Sequence, residues 1–224
     1  MNIPFIQAAN YTPANRNRID WIILHTMEAP ETPGRALQVA DWFAGASAPQ
    51  ASAHYEVDQG QVVQSVLEKD IAWQVQSKND IGNAFGIGIE HAGYAAWTPS
   101  EWSSANAEAM LKLSASLTAA IAQRWNIPII WVDAAGLQRG QRGITSHQQI
   151  SNGLNGGVGH QDPGVNFPAG HYLDLVQQAS TGNVSSAVSI WATIFGGLAL
   201  GGAAYLAYEA YVLRPIPTRH RRVV

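Results

Sequence analysis

Cysteine is absent from the 224 residues, which excludes disulfides and thiolate-held metals and leaves His, Asp and Glu as the side chains able to hold a zinc ion. Charge is also scarce. Asp, Glu, Lys and Arg make up 13% of the chain and hydrophobic residues 46%, against roughly 25% charged in an average soluble domain. That balance excludes a disordered chain and implies apolar surface that meets lipid. The few charges are unevenly placed: residues 1–187 hold nine Lys/Arg against fifteen Asp/Glu, whereas residues 188–224 hold four against one. An acidic body with no basic run offers no surface for nucleic acid, so none is expected as a partner. The opening MNIPFIQAANYTPANRNRID has no charged start followed by an apolar run and does not read as a secretory signal.

The length fits one globular domain with an appendage, divided as a body over residues 1–178, a small polar linker over 179–187, an apolar segment over 188–213 and a basic tail over 214–224. Val188 to Tyr208, VSIWATIFGGLALGGAAYLAY, is uncharged and, at about 1.5 Å per residue, long enough to cross a hydrocarbon core. Trp191 at one end, Tyr205, Tyr208 and Tyr211 at the other, and Arg214, Arg219, Arg221 and Arg222 beyond them fit the interfacial belts of a single-pass transmembrane helix. A buried core helix is the competing reading, although those are usually shorter. Gly197 and Gly201 have the spacing that lets two membrane helices approach closely, or are simply glycines of a membrane helix; self-association through them is an open option.

Within the body, Asp20–Leu24 is an apolar run read as a buried strand that delivers His25 and Thr26 at its end. A helix is expected over Gly34–Phe43. Ala53–Val57 and Gln61–Val66 flank Asp58-Gln59-Gly60 as a hairpin, with Gly60 supplying a positive φ. Gly86–Glu90 alternates Gly with Ile, the pattern of a strand whose one face is closely approached, and ends in a carboxylate. Pro99–Trp125 is the longest helical stretch, opened by Thr98, Pro99 and Glu101 as a capping box. Ile127–Val132 reads as a further strand, His171–Gln178 as a last helix, and the Gly/Asn-rich stretch after His147 as a surface loop. Alternating strands and helices without a phosphate-cradling glycine loop predict an α/β fold, a central mixed β-sheet flanked by helices.

The chemistry-bearing side chains fall at the ends of these runs: His25, Glu90, His147, His160 and Asp162. His25, His147 and Asp162 meet the three-ligand count of a catalytic zinc site. Each also has a structural reading, since a His at a strand end is often merely hydrogen-bonded and Asp162 before Pro163-Gly164 suits any turn. His54 reads better as a buried hydrogen-bonded residue than as a ligand. Trp73 lines a groove or packs in the core, and Trp97 and Trp102 pack near the start of the long helix.

IILHTME (22–28), SAHYEVDQGQVVQSV (52–66), AW (72–73), GIGIEHAG (86–93), GITSH (143–147) and GHQDPGVNFP (159–168) together resemble, in order, the zinc-dependent N-acetylmuramoyl-L-alanine amidases of type 2, relatives of phage lysozyme-amidases and peptidoglycan-recognition proteins. The resemblance covers roughly residues 18–178. It implies Zn²⁺ held by His25, His147 and Asp162, a catalytic role for Glu90, and peptidoglycan as substrate. It also implies that His160 stands where many members carry a Lys that steadies the developing oxyanion. His160 is then an oxyanion donor or a fourth ligand. Gln74 replaces a His found in many relatives, which leaves substrate contacts there open. The implied activity is hydrolysis of the amide between N-acetylmuramic acid and L-alanine of the stem peptide. The alternatives are a metal-free peptidoglycan-binding module, a zinc enzyme cutting another amide, and a bacterial wall-remodelling or recycling amidase. The apolar segment, the following arginines and the missing export signal together point to a membrane-anchored bacteriophage enzyme. It would sit in a virion membrane, or in the host inner membrane with its body toward the periplasm.

Overall fold

A computed structural model describes residues 3–182. The expected membrane helix, its basic tail and the Gly197/Gly201 contact lie outside the described residues. No helix among the described residues is long and apolar enough to cross a membrane.

The elements run β1 (Tyr11–Thr12), β2 (Trp21–Thr26), α1 (Arg35–Ala44), β3 (Tyr55–Val57), β4 (Val62–Gln64), β5 (Ile71–Ala72), α2 (Ile81–Phe85), β6 (Gly86–His91), α3 (Pro99–Trp102), α4 (Ala105–Trp125), α5 (Ala134–Gln138), β7 (Gly143–Ser146), α6 (His147–Leu154) and α7 (Ala169–Ser180). Five strands form the central sheet in the order β4-β3-β6-β2-β7, and β1 pairs with β5 in a small separate ribbon. β3, β6, β2 and β7 are parallel, and β4 closes one edge antiparallel, so the sheet is mixed as expected. Every residue of β2 is buried. That is what a parallel strand covered on both faces requires, and it explains the unbroken apolar run in its sequence.

The two faces of the sheet differ. Ile22, Leu24, Ile87, Ile89 and Ile144 pack with Met110 and Leu111 of α4 and Tyr172 of α7 into the main core. On the other face Trp21 and Ile23 pack with Leu137 of α5 and Ile150 of α6, and Val63 packs with Ala36 and Ala40 of α1. Between α1 and α6 this second face stays open over the carboxyl ends of β2 and β6. Ligands enter open parallel sheets at such ends.

Five expectations are corrected. Ile127–Val132 is not a strand: Pro128 has no N–H to give a ladder, Ile130 N–H turns back to Pro128 O, and only Trp131 bridges to Ile144. The stretch after Thr98 breaks into α3 and α4, because Ser104 Oγ accepts from Ala107 N–H and starts a second helix; the Thr98–Glu101 capping box itself is present. The β3–β4 turn is closed by Asp58 Oδ1, which accepts from the N–H groups of Gly60 and Gln61, and Gly60 is not among the residues with positive φ. The stretch after His147 begins as α6 and becomes a loop only after Leu154. The last helix starts two residues earlier than expected and continues through Ser180.

A buried hydrogen-bond chain ties the main core to the strand end that carries His25. His91 Nδ1–H donates to the His25 carbonyl at 2.9 Å, Ser114 Oγ–H donates to His91 Nε2 at 2.6 Å, and the Tyr172 hydroxyl joins Ser114 and Thr118 at 2.7 Å each. Burial pushes His91 down from 6.5 to about 4. The unfolded chain therefore binds a proton here before the folded one does. The stability this neutral imidazole provides is complete above about pH 6.5 and is lost as pH falls toward 4, by at most about 3 kcal/mol. His91→Gln removes that titration. In denaturant titrations the stability gap between the protein and this variant is expected to shrink by about that amount between pH 7 and pH 4; a gap independent of pH would contradict the assignment.

Candidate active site

Three parallel strands each deliver one polar side chain to the open end of the sheet. His25 is next to last in β2 and Glu90 next to last in β6, and the two are register partners. His147 follows β7 directly as the first residue of α6, whose start is capped by Ser146 Oγ accepting from Gln149 N–H. Asp162 comes from the loop between α6 and α7, in the turn with Pro163 and Gly164. Gly164 has φ of 92°, and a Cβ there would run into the carbonyl of Ala95, so only glycine lets this turn lie against the β6–α3 loop.

His25, His147 and Asp162 converge. His25 Nδ1 is 3.1 Å from Asp162 Oδ2 and 3.1 Å from His147 Nδ1, and His147 Nδ1 is 3.2 Å from Asp162 Oδ1. All three side chains are buried. The far side of the His25 ring is also fixed, since Nε2 lies 3.3 Å from Gln74 Oε1. An amide oxygen only accepts, so Nε2 carries a hydrogen; in the neutral ring the lone pair of Nδ1 then points into the cluster, and in the charged ring Nδ1–H donates to Asp162. Burial works against charge on His25, but the Asp162 hydrogen bond and the charges of Glu90 and Asp162 outweigh it and raise its pKa. Burial lowers that of His147, against the pull of Asp162. The Asp162 carboxylate is held well below the usual range despite its burial, because both imidazoles bond to it.

The cluster and Glu90 line a cavity of about 390 Å³, whose walls include Trp42 and Phe43 of α1 and Trp73. Burial, with the charges of Asp162 and Glu28 adding to it and His25 opposing, pushes Glu90 up to about 8. His160 stands at the rim with 80% of its side chain exposed, 3.8 Å from Asp162 Oδ1, and stacks on His147 with ring centroids 4.8 Å apart. It is not one of the three converging side chains. The site therefore gathers His25, His147 and Asp162, places Glu90 along the cavity wall, and leaves His160 outside the cluster. Trp73 is 37% exposed and lines the cavity, while Trp102 is buried edge-on against Trp97.

His54 is fully buried and structural. Gly88 N–H donates to its Nδ1, which leaves Nε2–H to donate to the Asp70 carbonyl. Burial, then the nearby Arg16 guanidinium, hold it well below its ordinary pKa. The glycine alternation of β6 also has its reason: a Cβ on Gly88 would collide with the Gln74 side chain. The role of Gln74 beside His25 is the feature that sequence reasoning missed. The two residues lie 49 positions apart, and only the pairing of GIGIE with a nearby long polar side chain carried any signal.

A structure of the hydrolase AmiA from Staphylococcus aureus is similar at 17% identity, with 83% of this chain and 87% of that one covered and a TM-score of 0.59. The catalytic domain of PlyG gives 18%, 84%, 98% and 0.59 for the same quantities, and an AmpD derivative 20%, 78%, 94% and 0.54. At these identities the likeness is one of fold. Comparison with curated proteins finds no match. The family profile described as N-acetylmuramoyl-L-alanine amidase matches residues 15–165, a span that runs from before β2 through the Asp162 turn and takes in every residue of the cluster. The chain belongs to that family and is an N-acetylmuramoyl-L-alanine amidase, an enzyme of peptidoglycan.

Proposed function

We propose that His25, His147 and Asp162 hold a catalytic zinc ion with which the enzyme hydrolyses the amide between the lactyl group of N-acetylmuramic acid and L-alanine of the stem peptide. The supporting observation is the donor set itself. The two imidazole Nδ1 atoms lie 3.1 Å apart, near the edge of about 3.3 Å that tetrahedral zinc with ligands at about 2.0–2.1 Å requires, and with one donor atom from each of the three residues the set lies within 4.8 Å. Asp162 Oδ1 is buried facing His147 Nδ1 at 3.2 Å, and two imidazole nitrogens that face each other this closely need a shared cation or proton between them. Bound there, zinc supplies the Lewis acidity that polarises the scissile carbonyl and makes water nucleophilic at neutral pH.

The chain's own groups carry the remaining steps. Glu90 takes the proton of the attacking water and returns it to the departing amine of L-alanine. A cation at the neighbouring ligands favours the ionised form of Glu90 over the proton-bearing form that burial alone prefers. His160 donates a hydrogen bond to the oxygen that gains charge as the carbonyl becomes tetrahedral. Gln74 keeps His25 in the tautomer that can ligate. Trp42, 54% exposed, and Trp73 offer aromatic walls to the saccharide or peptide. Removal of the metal with a chelator is expected to stop lysis of purified peptidoglycan, and added zinc to restore it. Unchanged activity in the chelated protein would overturn the metal assignment.

The apolar run from Val188 to Tyr208 and the arginines after it support a membrane anchor for this enzyme, consistent with a lytic role at a virion or host inner membrane. The protein is then expected to stay with membranes through high salt and carbonate. Release by salt alone would make the segment a peripheral helix.

A further inference from the structure

The sheet face that carries His25 and Glu90 bears one more carboxyl group, which these steps do not use. Glu56 is the register partner of Glu90 across β3 and β6, and Glu90 is that of His25 across β6 and β2. The three side chains therefore form a row on one face of strands about 4.8 Å apart. Glu56 is fully buried. Its Oε2 accepts from Ser65 Oγ–H at 2.8 Å, while its Oε1 and the Oε2 of Glu90 are each buried without a hydrogen-bond partner. Two adjacent carboxyl groups thus each present one orphaned oxygen, and two acceptors of this kind are satisfied together by one proton.

The other groups around Glu56 offer it no positive charge. Ser65 just after β4 is neutral, α1 contributes Ala36 and Ala40 over this part of the sheet, and His54 is held neutral. Asp58, two residues along the chain, is engaged by the N–H groups of Ala36, Gly60 and Gln61. A carboxyl buried in such surroundings keeps its proton. Burial accordingly raises Glu56 well above the usual range, with the Ser65 hydrogen bond opposing and the charge of Glu90 adding.

We propose that Glu56 is a proton-bearing positioning residue for Glu90: its neutral carboxyl stands behind the base and, directly or through one water, donates a hydrogen bond to Glu90 Oε2, which leaves Oε1 of Glu90 to face the cavity. This rests on the reading of Glu90 as the catalytic base. The hydrogen bond fixes the rotamer of Glu90 and favours its ionised form, so the base is oriented and charged before substrate arrives.

Carbon-13 NMR of glutamate carboxyl carbons in the full-length protein, with Glu56→Gln identifying the signal, reads the proton directly. The expected result is that Glu56 remains a carboxylic acid at pH 7; an ionised Glu56 overturns the proposal. Glu56→Gln keeps a neutral donor and is expected to retain kcat, whereas Glu56→Leu, which fills the space without donating, is expected to lose kcat about tenfold at unchanged zinc content and KM. Equal kcat in both variants, whether intact or reduced, assigns Glu56 to packing and overturns the donor role. If Glu56→Leu does not fold, the NMR state and the Gln variant still decide. Should Glu90 itself prove dispensable, the reading of the base fails while the protonation state of Glu56 is still measured on its own.

Discussion

His147→Ala is expected to abolish zinc binding and peptidoglycan lysis together. Zinc in a catalytic site has three protein ligands, and two remaining ligands leave an ion that competing buffer and water remove. The loss is not expected to come from unfolding. His147 is the first residue of α6, whose start is capped by Ser146, and alanine is an excellent helix former there. The His25–Asp162 contact at 3.1 Å persists without His147, so the other two ligands stay in place. Metal analysis of the purified variant, with circular dichroism to verify the fold, checks this. A folded His147→Ala protein with one zinc per chain and full activity would remove His147 from the ligand set.

Glu90→Gln is expected to lower turnover by roughly two or more orders of magnitude while zinc remains bound. The amide has nearly the same shape as the carboxylate and fits the same row on the sheet, but it cannot accept the proton of water. The separation of the two effects is the diagnostic: ligand loss removes metal and activity, and base loss removes activity alone. His160→Ala should behave like Glu90→Gln, with a smaller loss and full metal content, because His160 lies at the rim, 3.8 Å from Asp162. Zinc loss in that variant would place His160 among the ligands. Glu90→Gln with undiminished turnover would return the proton transfers to another group.

How much of this was legible in the sequence depended on how each residue is held. β2 and β6 announce themselves because parallel strands buried on both faces must be apolar throughout, and their polar exceptions, His25 and Glu90, therefore stand out. α4 is long enough for its helical stretch to show, but the capping box read at Thr98 opens the short α3, and the Ser104 cap that starts α4 was missed. β7 is four residues of Gly, Ile, Thr and Ser, too short and too small-chained to carry a pattern, although the GITSH segment drew attention to His147 just after it. α6 is made largely of Gln, Ser, Asn and Gly and resembles a loop until Ser146 is seen to cap it. The apolar run Ile127–Val132 looked like a strand because periodicity cannot see that Pro128 withholds a ladder N–H. Gln74 and Glu56 are contacts across the sheet between distant segments. Single positions of this kind leave no local trace: the register of β3, β6 and β2 sets Glu56 in a row with Glu90 and His25, and Gln74, from the segment after β5, meets His25 only in the folded chain.

Mass analysis of the products released from purified peptidoglycan tests the central claim most directly. The account predicts stem peptides that begin with a free L-alanine amine, and glycan strands whose muramic acids keep an unsubstituted lactyl carboxylate. Cleavage within the stem peptide, at a cross-link or between sugars, with the lactyl–alanine amide intact, would contradict it.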